Sequence, residues 1–231
     1  VVTRSYAYYL AKVQRFYLEE LRIPPRLFRL FEKNEKERAF YNRVHFDIEI
    51  QTDTLGGFRE VAGLHYRGDW DLGRHAAQSR KSMTINADGK EILPHVLELS
   101  FGVDRNIWAL LDLNVTEREG KEERYTMLAL PPLVAPCQVA VFPLMKKDGL
   151  AEKARSIFEN LRGEFRASYD ESGSIGRRYA RNDEIGTPFC VTVDGQTLQD
   201  NTVTIRERDS MEQVRVSTDQ LLNHLREKLD I

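Results

Sequence analysis

The sequence holds only two cysteines among 231 residues, too few for a disulfide framework, so the fold must rest on a packed core. Cys137 and Cys190 both lie in apolar, strand-like runs. That placement suits buried thiols in a reducing compartment, and a cytoplasmic location is expected. No apolar run approaches the ~18 residues that a membrane helix needs, and no secretory leader is visible, so no membrane partner is expected. Net charge is nearly absent as well, since 34 Lys+Arg against 36 Asp+Glu leave −2. The balance holds on both sides of Pro136, so no global basic field advertises nucleic acid, and any such binding must come from local patches. Spacing for a structural metal is also missing. His45, Asp47 and Glu49 share one face of a strand-like run, but nothing supplies a fourth ligand. A solvated or RNA-facing surface is the better reading of that trio. No structural metal is predicted, and the metal of any reaction site is left unassigned.

What is present is a 41% hydrophobic composition, enough for one large core or two of ordinary size. Tyr6–Leu21 sets Tyr6, Tyr9, Leu10, Val13, Phe16, Tyr17 and Leu21 on one helical stripe, closed by Pro24-Pro25. Glu32–Arg38 is a charged surface run. Arg43–Thr52 alternates, with Val44, Phe46, Ile48 and Ile50 facing in and His45, Asp47, Glu49 and Gln51 facing out. A turn at Asp53–Gly57 returns Phe58–Tyr66 as a second strand. The span 76–93 is polar, with a turn at Asp88-Gly89. Glu117–Glu123 reads as a charged loop, and Leu128–Pro136, rich in proline, as a connector.

The stretch His95–Leu113, HVLELSFGVDRNIWALLDL, reads as a strand running straight into a helix. Val96, Glu98 and Ser100 alternate with Leu97, Leu99 and Phe101; Gly102 breaks the strand, and Ile107, Leu110 and Leu111 follow at helical spacing. Arg105 lies in the first helical turn, where the dipole disfavours a cation, which points to an anionic or flat aromatic partner outside the protein. A core strand and helix with a solvated Arg105 is the competing reading.

This stretch resembles motif 3 of class II aminoacyl-tRNA synthetases, and LELSFGVDR is similar to its form in archaeal and eukaryotic glycyl-tRNA synthetases. Leu99 stands where that family reads proline. Glu60–His75, EVAGLHYRGDWDLGRH, resembles a second segment of the same family through Glu60, Gly63, Arg67, Asp69, Asp71, Leu72 and His75, with Trp70 in place of tyrosine. The resemblance implies that Arg67 holds the carboxylate of glycine, that Glu98 and Ser100 bind its ammonium, and that Arg105 stacks on the adenine of ATP. A guanidinium fork suits a carboxylate, although Arg67 bridging Asp69 or Asp71 explains the local sequence equally well. The span 76–93 is similar to a family insertion of variable length.

From Cys137 the pattern alternates strand and helix. Gln138–Phe142 is a buried strand, and Leu150, Ala154, Ile157, Phe158, Leu161 and Phe165 form a helix stripe. Arg166–Tyr169 is a strand, Ile175–Glu184 a helix, and Phe189–Val193 and Thr202–Arg208 strands. Ser217 with Gln220 makes a capping box for a last helix carrying Leu221, Leu222, Leu225 and Leu229. The order predicts a mainly parallel sheet with helices on both faces. Asp170–Asp194 and Thr202–Val216 resemble the anticodon-binding domain of glycyl-tRNA synthetases closely, with Gly195 where the family has an aromatic residue. The resemblance implies base contacts from Arg177, Arg178 and Arg208, work that guanidinium planes suit. A salt-bridge lattice among Arg177, Arg181, Asp183, Glu184 and Asp209 competes with that role.

The fold class expected is therefore α/β and α+β. Residues 1–130 are the C-terminal part of a class II catalytic domain, an antiparallel sheet with helices; 131–136 is a connector; and 137–231 is an α/β anticodon-binding domain with a mixed, mainly parallel sheet. The resemblance implies a glycine–tRNA ligase using ATP and Mg²⁺, with glycine, its tRNA and ATP as partners and a homodimer in the longer enzyme. A non-catalytic paralogue, such as a polymerase accessory subunit or an RNA-binding module, is the alternative, and it would be expected to lose Arg67, Glu98, Ser100 or Arg105. Motif 1 and motif 2 are not found in the chain, so they are expected upstream of Val1.

Overall fold

The computed structural model describes residues 2–119 and 124–229, and its chain divides into two compact units, Val1–Asp112 and Leu113–Ile231. In the first unit, helix α1 (Val2–Arg15) runs into a wider π turn at Phe16–Glu20, and Arg22 turns the chain with φ 52°. Tyr6, Val13, Tyr17 and Leu21 are the buried members of the stripe, whereas Tyr9 is 43% exposed. A four-stranded antiparallel sheet follows. Its strands are β1 (Phe28–Glu32), β2 (Val44–Thr52), β3 (Gly57–Gly68) and β6 (Val96–Phe101), adjacent in the order β1-β2-β3-β6. Helix α2 (Trp70–Ser79) and the hairpin β4 (Ile85–Ala87)–β5 (Lys90–Ile92) lie between β3 and β6 in sequence, and α3 (Val103–Asn114) leaves β6 directly. The hairpin turns at Asp88-Gly89, both at positive φ.

Pairing sets the two faces of this sheet. Phe46, Leu64 and Leu99 stand side by side, as do Ile48, Ala62 and Phe101. Tyr6 packs on Phe46, Phe16 and Tyr17 pack on Phe101, and Asn106 of α3 donates to the Val61 carbonyl. Tyr17 Oη donates to Asn106 Oδ1 at 2.7 Å, which ties the π turn to α3. The other face carries His45, His65 and Glu98 in one row, and Asp47, Gly63 and Ser100 in the next. The sequence pattern put His45, Asp47 and Glu49 in solvent. Here the structure corrects it, because Asp47 is 2% and Glu49 8% exposed. Edge strand β1, which periodicity missed, brings Arg29 to Glu49, and Lys33 just beyond it reaches Asp47.

The second unit opens with the hairpin β7 (Val115–Glu119)–β8 (Arg124–Leu128). Residues 117–119 of the expected charged loop thus belong to β7, and residues 120–123 lie outside the described residues. Then follow β9 (Val139–Pro143), α4 (Leu150–Leu161), β10 (Ala167–Tyr169), α5 (Ile175–Glu184), β11 (Phe189–Val193), the short α6 (Thr197–Asp200), β12 (Thr202–Glu207), β13 (Gln213–Ser217) and α7 (Leu221–Leu229). The sheet order is β10-β9-β11-β12-β13, with β9 parallel to β10 and β11, and β12 antiparallel to both its neighbours. It is evenly mixed where a mainly parallel sheet was expected, since β11, β12 and β13 return on themselves through short connections.

Strands β9 and β11 are buried at every position, as parallel strands covered on both faces must be. Val139, Val141, Val191 and Val193 meet Leu150, Ala154, Ile157 and Leu161 of α4 and Leu221, Leu225 and Leu229 of α7. Ala140, Phe142 and Cys190 meet Ile175 and Tyr179 of α5 on the opposite face. Each fully buried leucine there contributes about 2 kcal/mol. Both cysteines are free and buried. Instead of a capping box, Ser217 Oγ accepts from the Asp219 N–H at 3.3 Å, in a turn that ends just before Leu221.

The hairpin β7–β8, assigned from sequence to the first domain, bonds within the second unit. Arg118 and Tyr125 both donate to Asp183 of α5. The division at Asp112 accordingly precedes the proline-rich connector. Among the described residues, no helix is long and apolar enough to cross a membrane.

Candidate functional site

On the polar face of the first sheet, Arg67 sits at the end of β3, where the register slips between Tyr66 and Gly68. The slip directs its guanidinium to two acids at once: Asp71 one helical turn away, at 2.7 Å from Nε, and Glu98 on β6. These hydrogen bonds hold the arginine's pKa above its ordinary value. Arg67 and Glu98, 31 residues apart, are thus brought together. Asp69, the other acid suggested for Arg67, pairs with Arg43 instead. Ser100 lies two residues beyond Glu98 on the same face, exposed and directly opposite Gly63. A Cβ on Gly63 would stand 2.5 Å from His65 Nε2, so glycine is what keeps this patch of sheet open.

Behind that patch the polar groups are crowded. The His45 and His65 rings lie 4.0 Å apart, and burial, with His65 adding to it, lowers the His45 pKa. His45 Nε2 is 2.8 Å from Asp47 Oδ1 but poorly aligned, so both His45 ring nitrogens and that oxygen lack a hydrogen bond among the described residues. With Asp47 on Lys33 and Glu49 on Arg29, the trio forms no metal cluster, and none occurs among the described residues.

Arg105 is placed elsewhere. Its Nη1 donates to the carbonyl and carboxylate of Glu60, at 3.2 and 3.3 Å. The anion that its position called for is therefore first of all internal, although both side chains stay half exposed. The pair edges a cavity of about 340 Å³ whose lining includes Ile50, Thr52, Glu60, Val61 and Trp108. Neither Arg67 nor Glu98 lines it. A flat, partly apolar group fits such a wall.

In the second unit the arginines separate by burial. Arg177, in the first turn of α5, is exposed, and its backbone N–H is capped by Ser174 Oγ. Arg181 is tied to Asp170 and Ser172. The structure corrects the expectation for Arg178 and Arg208, which are only 3% and 2% exposed. Arg178 donates to the carbonyls of Pro143 and Gly173, and Arg208 to the Gly186 carbonyl and Asp209. Both are committed to holding loops together. The lattice that sequence suggested among Arg177, Arg181, Asp183, Glu184 and Asp209 gives way to another: Asp183 gathers Arg206, Arg118 and Tyr125, Arg181 pairs with Asp170, and Asp209 with Arg208. Arg206 and Arg118 were missed because only the fold brings them to Asp183.

Residues 138–228, the sheet and helices of the second unit, match the family model described as an anticodon binding domain. Over most of its length the chain is also similar to curated proteins named glycine–tRNA ligase. That of Treponema denticola is 42% identical over 206 residues, covering 86% of this chain and 45% of the relative. The Borreliella afzelii protein is 38% identical over 229 residues, 97% of this chain and 51% of the relative. The Caldanaerobacter subterraneus protein is 44% identical over 203 residues, 87% of this chain and 43% of the relative. The chain spans about half the length of the curated relatives it matches. These relatives are bacterial, so the likeness is not particular to the archaeal and eukaryotic form.

Proposed function

We propose that this chain is part of a glycine–tRNA ligase, carrying the amino-acid end of the reaction site on its first unit and the anticodon-reading surface on its second. The observation that carries the proposal is the Arg67–Glu98 ion pair on the open polar face beside Gly63 and Ser100. A zwitterion inserted there replaces the internal pair with two of its own: its carboxylate takes the Arg67 fork, and its ammonium takes Glu98 and the Ser100 hydroxyl. Both charges stay satisfied throughout, with Asp71 still holding Arg67 in place. Selection for glycine then needs only steric exclusion of larger side chains, which His65 over Gly63 supports.

Arg105 and the cavity beside it would take the adenine, Arg105 swinging from Glu60 to lie against the ring. ATP, bound with its Mg²⁺, would supply a phosphoanhydride that activates the glycine carboxylate. Arg177 is the exposed cation suited to stacking on an unpaired anticodon base, and a homodimer is the expected state of the longer enzyme. The paralogue alternative is disfavoured because Arg67, Glu98, Ser100 and Arg105 are all retained.

The test is glycine-dependent ATP–pyrophosphate exchange by the longer protein containing this chain. Glu98→Ala should abolish it without unfolding the protein, because truncating one partner of a charge-assisted pair costs about 2–5 kcal/mol of binding. Near-normal exchange by this variant would overturn the assignment.

A further inference from the structure

The row of the sheet that carries Glu98 has a buried half. His45, His65 and Glu98 stand side by side across β2, β3 and β6, and Asn42, just before β2, holds its amide 3.1 Å from His65 Nδ1. Asn42 is 5% and Asp47 2% exposed, so the first unit itself seals this half. Asn42 Oδ1, Asp47 Oδ1 and both ring nitrogens of His45 are buried there without a hydrogen bond among the described residues.

Their chemistry does not balance as the amide stands. Burial lowers the His45 pKa and so favours its neutral ring, which brings one N–H and one bare nitrogen. With Asn42 Nδ2 turned to His65, the orphans are then three acceptors against a single donor. A buried acceptor left alone is costly. A half-turn of the Asn42 amide, which exchanges its oxygen and nitrogen, makes them two donors and two acceptors. The amide oxygen then accepts from His65 Nδ1–H, and the lone pair of that ring falls on Nε2.

His65 Nε2 lies over the proposed amino-acid patch. A Cβ on Gly63 would meet it at 2.5 Å, so it overhangs the residue directly opposite Ser100, while His65 itself is directly opposite Glu98. Among the described residues the ring's one hydrogen-bond partner is Asn42. An ammonium group presents three N–H donors, and Glu98 with the Ser100 hydroxyl accounts for two of them. We infer that His65 is the third acceptor for the substrate ammonium, its Nε2 lone pair held toward Glu98 and Ser100 by the buried Asn42 amide. This deepens the glycine–tRNA ligase reading and rests on it. It gives the ring over Gly63 a task that an apolar wall of the same size would not perform.

The tautomer is read first, by nitrogen NMR on the complete 231-residue chain at about pH 8, above the ordinary imidazole range. His65→Gln identifies the His65 signal among the five histidines. A protonated Nδ1 and a bare Nε2 are expected, and the reverse would overturn the inference. Glycine affinity is then measured by calorimetry on the longer protein. His65→Phe keeps the breadth of the ring without its lone pair, and should bind glycine about tenfold more weakly with ATP affinity unchanged. His65→Gln, whose amide oxygen still accepts, should stay within about threefold of the parent. Parent-like glycine affinity in His65→Phe, or equal losses in both variants, would also overturn it. Absence of glycine binding by the parent protein would instead sink the amino-acid reading, while the tautomer judges the Asn42–His65 arrangement by itself.

Discussion

Arg206 and Asp183 face each other in a two-point ion pair inside the second unit, with Nη1–Oδ1 at 2.8 Å and Nη2–Oδ2 at 2.9 Å. Asp183 is fully buried and also accepts from Arg118 and the Tyr125 hydroxyl, so one carboxylate joins strand β12, helix α5 and the hairpin β7–β8. Its removal would strand the buried Arg206 guanidinium and take one acceptor from Arg118, which keeps the Arg208 and Asp209 carbonyls.

Asp183→Ala is accordingly expected to destabilise the protein by about 3–5 kcal/mol, the range for breaking a buried pair from one side. Urea unfolding of the full chain measures it. Replacing Asp183 and Arg206 together by leucine and methionine should cost less, because no charge of that pair is then left alone.

Gly186 has φ 83°, and a Cβ there would stand 2.9 Å from the Leu128 carbonyl oxygen. Gly186→Ala should therefore lose about 1–3 kcal/mol through strain and displacement of the hairpin. Gly176, in the first turn of α5, has open space around it, and Gly176→Ala should stay within about 1 kcal/mol of the parent. Thermal melts of the two variants, compared side by side, separate conformational strain from the mere addition of a methyl group.

Hydrogen bonds from Arg215, aided by the Thr197 N–H, hold the Asp194 carboxyl at about 2. A depressed folded-state value means that this group's stabilisation is present above the unfolded aspartate value of about 4. It is lost as pH falls toward 2, where the folded form also protonates. Between these limits stability should fall by roughly 1 kcal/mol on account of Asp194. Asp194→Asn should flatten the unfolding free energy over that window and leave the curve above pH 5 parallel to the parent.

Gly63→Ala puts a methyl group against His65 on the face that would receive glycine. It is expected to leave the circular dichroism spectrum intact and to weaken glycine binding in the longer protein by at least about tenfold, the lower end for one intruding methylene in a tight pocket. Unchanged glycine affinity would move the amino acid away from this row of the sheet.

Strand and helix were legible wherever burial has a period. Val44–Thr52 and Gly57–Gly68 pair as the alternation predicted, and Leu150, Ala154, Ile157 and Leu161 bury the stripe that spacing marked out. Some elements that bury no residue fully were not legible. Helix α2 buries no residue fully, and β7 reads VTERE with none buried, so only tertiary pairing defines them. Polar cores were the harder loss. Asp47 and Glu49 alternate with apolar residues as solvent-facing acids do, and their burial depends on Lys33 and Arg29 arriving from another strand. The same limit applies to Arg177 and Arg178, adjacent in sequence, of which one lies in water and the other on two carbonyl oxygens. The i,i+4 partner of Arg67 could be read from spacing; its partner across the sheet could not.

The two thiols make the second unit a reporter of its own opening. Cys190 is 1% exposed and burial pushes its pKa up, while Cys137 is 8% exposed. A maleimide, which attacks only accessible thiolate, must wait for that sheet to come apart. Modification rates of the unaltered protein then count opening events in residues 113–231 alone, since the first unit has no cysteine. Conversely, Ser82→Cys, in the exposed segment between α2 and β4 of the first unit, would take a dye within seconds and leave both native thiols unlabelled, with no need to remove either one.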